Sequence, residues 1–304
     1  SNLMASASQF LFLTPELRIQ YKFTKELLVK ILRYSFPIMI LGIAGVLNQT
    51  MDKIIFPILY PNKADALTQL GIYGQSFKIA IIMVMFTQAF RYAFEPFIFA
   101  RDKASSSGKS VQSYADASKY FLILGFLIFL FTMGYIDIIK FLIPKNYHEG
   151  LKVVPIVMMG ELFFGLYFNL SLWYKLTDKT RWGAYMSIMG FVVTLIIQII
   201  FIHTHSYMAC AWAAFFANLV MMLVSYFLGQ KHYPIPYNLK TAALFTVIAL
   251  VLLAGMQITH NIINNVWLRL GINTIFVAIY AFIVVKKELP LHQLPVIGQY
   301  FRKK

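Results

Sequence analysis

With a single cysteine, Cys210, the chain can form no internal disulfide and no cysteine-built metal centre. Acidic residues are scarce too: twelve Asp and Glu stand against 27 Lys and Arg, giving a formal net charge of +15. Histidines are few and poorly spaced for metal binding. His203 and His205 are two apart, where a helical zinc pair needs four, and His148, His232, His260 and His292 stand singly. The opening SNLMASASQFLFLTPEL lacks the basic flank and small-residue cleavage site of a signal peptide and is too short to cross a membrane. Phosphate-loop chemistry is excluded at SSSGKSV, because the Gly needed five positions before Gly108 is Lys103.

What the chain has in abundance is apolar surface. Hydrophobic residues make up 59% of its 304 residues and aromatics 16%, with a mean hydropathy of +0.67. A soluble domain of this length has no use for that much, so the fold class is all-α, a polytopic transmembrane helix bundle. At about 20 apolar residues per span, eight helices are expected at 35–60, 70–99, 119–143, 151–174, 183–203, 207–229, 239–259 and 266–285. Residues 1–34 then read as the end of a preceding helix plus a cytoplasmic linker, and 286–304 as a basic tail lying on the inner membrane surface.

The basic residues gather in short clusters between these runs, a topogenic pattern and not a nucleic-acid-binding face. Nineteen Lys and Arg fall on one side and four on the other, Lys63, Lys145, Lys152 and Arg269. The positive-inside rule therefore puts both ends of the chain in the cytoplasm.

Several polar residues lie inside the spans, where a charge costs roughly 2.5–3.5 kcal/mol at the bilayer centre. In FKIAIIMVMFTQAFRYAFEPF, Gln88, Arg91 and Glu95 share one helix face, with Arg91 and Glu95 spaced to pair. Lys78 lies nearer the outer surface, about 100° around from Glu95. The preceding span carries Gly42, Gly45, Asn48 and Asp52 along one stripe, with Gln49 and Lys53 beside it. Glu161 sits mid-span between Gly160 and Gly165, a position for an acid that faces other helices and serves either as a coupling group or as a buried structural acid. Asp137 has Lys140 at i+3 near an outer helix end, which reads as local interfacial pairing.

The strings YSFPIMILGIAGVLNQTMDKIIFP, LGIYGQSFKIAIIMVMFTQAFRYAFEPFIF, GLYFNLSLWYKLTDKTRWGAYMSIMG and SYFLGQKHYPIPYNL resemble the C-terminal part of bacterial polysaccharide biosynthesis membrane proteins. These are oligosaccharide flippases of the multidrug/oligosaccharidyl-lipid/polysaccharide exporter superfamily. The likeness runs from about Leu13 to the C-terminus, and NQTMDK, QAFRYAFEPF and SLWYKLTDKT are its most specific pieces. It implies two six-helix lobes around a central cavity. Residues 35–229 would form the second lobe, 239–285 an additional helix pair, and the first lobe would lie outside these 304 residues.

The resemblance further implies a function. Such proteins carry a polyprenyl-pyrophosphate-linked oligosaccharide across the bacterial inner membrane, without a cofactor, alongside glycan polymerases and glycosyltransferases. Lys53, Lys78 and Arg91, with Asn48 and Gln88, are the candidates for substrate contact, and Asp52, Glu95 and Glu161 for ion coupling or pairing. A drug/cation antiporter of the same superfamily is the nearest alternative, separated by the sign of cavity charge: three cations, Lys53, Lys78 and Arg91, face two acids, Asp52 and Glu95. A glycan polymerase or ligase would need a sizeable surface loop, and the longest expected here runs only from Arg101 to Ser118. A purely structural scaffold for glycan assembly would be indifferent to loss of the cavity charges.

Overall fold

The computed structural model describes residues 2–13, 24–104, 108–177, 179 and 181–288. Among them every regular element is helical: α1 (Asn2–Leu13), α2 (Lys25–Leu59), α3 (Lys63–Ala104), α4 (Gly108–Gly134), α5 (Ile136–Ile139), α6 (Val154–Leu170), α7 (Leu172–Leu176), α8 (Arg181–His205), α9 (Met208–His232), α10 (Leu239–Ile262) and α11 (Val266–Glu288). Two 3₁₀ segments, Lys140–Leu142 and Lys145–Val153, link α5 to α6. Seven described segments are long and apolar enough to cross a bilayer: Lys63–Phe94, Val111–Gly134, Lys145–Leu176, Arg181–His205, Met208–His232, Leu239–Ile262 and Val266–Glu288. The chain is an all-α, multi-pass membrane bundle, with the 35-residue α2 as a further long helix beside these seven.

Helix ends differ from the hydropathy reading where something other than hydropathy decides them. The helix expected at 35–60 starts at Lys25, so ten residues assigned to a linker are helical. α3 runs on to Ala104 and α4 begins at Gly108, so the expected 101–118 loop is mostly helix. Gln112, Ala115, Ala117 and Lys119 are adequate helix formers, and polarity alone does not stop a helix outside the lipid. α4 ends at Gly134 rather than 143, and the Gly134 carbonyl left open there accepts from Asn273 Nδ2 at 2.9 Å, a tertiary cap. α6 starts at Val154 instead of 151, with Pro155 in its first turn, where the missing N–H costs nothing.

α6 is the hub, packed against α9, α3 and α4; α8 lies between α9 and α2, while α10 and α11 pack on α4. Small residues permit the close approaches, as expected where lipid supplies no hydrophobic drive. A Cβ on Gly160 of α6 would lie 3.1 Å from the Phe215 Cα of α9, and one on Gly165 would strike the Phe121 ring of α4. α9 turns Ala209, Ala211, Ala213 and Ala217 inward. Aromatics fill the remaining core: Phe121 stacks on Phe86 and meets Phe90 edge-on, each at 5.0 Å between centroids.

The link between α5 and α6 caps one end of the bundle. Gly150 is buried so tightly that a Cβ would collide with Ser76 and with the Ile72 backbone oxygen. Tyr207 donates to Glu149 at 3.1 Å, and burial pushes the Tyr207 phenol above its ordinary value. Ser206, which has φ of 50°, donates to Gln69 at 3.0 Å.

Candidate functional site in the membrane-spanning helices

The residues singled out in α2 and α3 divide into two groups. Lys78 is exposed, on the α3 stripe that also carries exposed Ile81, Met85 and Tyr92. Lys53 is exposed on α2 with Ile54 and Ile58, while its neighbour Asp52 is half-buried and accepts the Lys53 backbone N–H at 3.0 Å. Lysine side chains thus stand open on two consecutive helices.

Arg91 belongs to the other group. It lies 13 residues after Lys78 and so about 140° around the helix, half-buried against α6. Its guanidinium carbon stands 4.7 Å from the Phe168 ring centroid, and Lys175 Nζ of α7 lies 5.9 Å from the same ring. The structure therefore brings Arg91 together with Lys175, a residue the sequence reading counted only as a loop charge. Gln88 is half-buried between the two faces. The side chains of Asn48 and Glu95 lie outside the described residues, and with them the expected Arg91–Glu95 pair.

Glu161 of α6 is half-buried, next to Gly160, whose carbonyl accepts from Asn218 Nδ2 at 3.2 Å. No group of three or more His, Cys, Asp or Glu able to hold a metal occurs among the described residues.

The densest polar network was not anticipated. Asp137 of α5 does bind Lys140 at 2.9 Å, as its spacing suggested, but it also forms an ion pair with Arg269 Nη2 of α11. Both Asp137 and Arg269 side chains are more than nine-tenths buried. Burial alone would raise the Asp137 carboxyl; Lys140 and Arg269 together hold it below its ordinary value. The missed signal was available in VWLRLGIN, where Arg269 and Asn273 fall at i, i+4 on one face of an apolar span.

No family model, curated protein or solved structure matches this chain. The class is therefore defined by the fold: a multi-pass bundle of membrane helices with lysines open on two of them.

Proposed function

We propose that this chain forms one lobe of a transporter that moves a polyprenyl-pyrophosphate-linked oligosaccharide across a bacterial inner membrane, with both ends of the chain on the cytoplasmic side. The observation that carries the reading is the exposure of Lys53 and Lys78 on consecutive helices, each within a long apolar helix. Lipid is a poor environment for an ammonium group, so such a face is better suited to a water-filled path. A diphosphate is the strongly charged part of the substrate, and lysines at different depths offer it successive charge-assisted contacts. Arg91 and Lys175, gathered at Phe168, add a second cationic station toward the cytoplasmic end of α3. The resemblance of the α2 and α3 sequences to oligosaccharide flippases supports the same direction.

A cation-coupled drug exporter is the second reading, favoured by two half-buried acids, Asp52 and Glu161, within apolar helices. The two separate on charge. Replacing Lys53, Lys78 and Arg91 together with Gln, at normal membrane abundance, should abolish export of surface polysaccharide and trap lipid-linked glycan inside the cell. Wild-type export by that variant would exclude the flippase reading. Loss of drug resistance on Asp52→Asn and Glu161→Gln, with polysaccharide unaffected, would establish the exporter.

A further inference from the structure

α11 presents one stripe to α4, and nearly every polar group on that stripe is used. Starting at the end next to α5, Arg269 pairs with Asp137, and Thr274 shares a hydrogen bond with the Tyr135 hydroxyl at 2.8 Å. Asn273 donates to the Gly134 carbonyl at 2.9 Å and accepts from Thr259 of α10 at 3.3 Å. Tyr280, fully buried, donates to the Ile123 carbonyl at 3.1 Å and meets Phe245 of α10 edge-on. At the other end Glu288 binds Lys119 Nζ at 2.8 Å, and the Glu288 carbonyl accepts from the Tyr120 hydroxyl at 3.4 Å.

From Arg269 to Glu288 the helix rises about 28 Å, close to the thickness of the hydrocarbon layer. An ion pair therefore stands at each face of the membrane, with two helix-to-backbone hydrogen bonds between. Helices in lipid associate through packing and polar links, having no hydrophobic drive toward each other. Sliding or rotating α11 against α4 would break links at both ends together, each formed by largely buried side chains.

We infer that α11 is a strut locked to α4 at both faces of the membrane, so that α4, α10 and α11 move as one rigid body and open no path between them. This stands whatever the chain carries. Any conformational change then falls outside this trio, in the part of the bundle where α2 and α3 carry the open lysines.

Distance measurement between spin labels tests the strut without a transport assay. In a Cys210→Ala background in lipid nanodiscs, labels at Gln112→Cys on α4 and Lys287→Cys on α11 should give one narrow distance distribution. Removing all four end charges (Lys119→Gln, Glu288→Gln, Asp137→Asn and Arg269→Gln) should broaden it or split it in two. If that variant does not fold, the inner pair alone, Lys119→Gln with Glu288→Gln, is read with the same labels and should broaden the same distribution. A broad or two-peaked distribution in the parent chain, or one unchanged when the charges are gone, would overturn the inference.

Discussion

Replacing Asp137 by Asn should destabilise the chain more than replacing its partner Arg269 by Gln, and the reason lies in who is left behind. Asp137 neutralises two cations, Lys140 at 2.9 Å and the buried Arg269. Without it, Arg269 keeps only a 3.4 Å contact to the Ile263 carbonyl, its Nε already lacks a partner, and Lys140 adds repulsion. Stranding a buried charge in this way costs about 3–5 kcal/mol. Arg269→Gln leaves Asp137 with Lys140, so its cost should be nearer the 1–3 kcal/mol of a lost charged hydrogen bond. The double variant should recover at least about 1 kcal/mol relative to Asp137→Asn alone, since no orphaned guanidinium remains. Equilibrium unfolding in mixed detergent micelles gives the ranking. Equal losses for the two single variants, or strict additivity in the double, would refute the reasoning.

The same pair sets a pH dependence. The folded-state Asp137 carboxyl lies below its ordinary value of 3.8, so the pair's contribution is complete above that value and is lost only as pH falls below it, through the depressed folded value. The stability difference between wild type and Asp137→Asn, followed by detergent unfolding, should therefore be flat from pH 7 to about 5 and shrink under more acidic conditions. Gly160→Ala should cost about 1–3 kcal/mol by overpacking, because its Cβ meets the Phe215 backbone. Gly45→Ala, where nothing lies within 4 Å, should be neutral or slightly stabilising in the same unfolding assay. Phe168→Leu should cost about 0.5–2 kcal/mol, in part through the lost Arg91 contact at 4.7 Å, and a double-mutant cycle with Arg91→Gln should show a favourable coupling between the two. Cys210, 1% exposed, should resist thiol reagents in the folded protein and react after denaturation.

Helix existence was legible because a long apolar run in a chain of this composition leaves the backbone one way to satisfy its hydrogen bonds in lipid. Helix ends were less so. α4 stops at Gly134, whose carbonyl is capped by Asn273 from far along the chain, and no local pattern contains that bond. The candidate site was legible in part: polarity in α2 and α3 is plain in NQTMDK and QAFRYAFEPF, but helical geometry turns Lys78 outward and Arg91 inward. The gathering of Lys175 with Arg91 at Phe168 and of Asp137 with Arg269 depends on tertiary packing between distant segments. Single-residue spacing reports neighbours on one helix and is silent about neighbours across the bundle.

The central claim is that the α2 and α3 face bearing Lys53 and Lys78 lines a water-filled path, and thiol accessibility tests it directly. In a Cys210→Ala background, cysteines placed at Lys53, Lys78, Asn48 and Gln88 in the protein embedded in native membranes should react with a membrane-impermeant, water-soluble thiol reagent. Cysteines at Val247 and Val251, exposed apolar positions of α10, should stay unlabelled as lipid-facing controls. Labelling of the four α2 and α3 positions at rates approaching a loop control at Lys145 is the predicted result. All four remaining unreactive while Lys145→Cys is labelled would contradict the account.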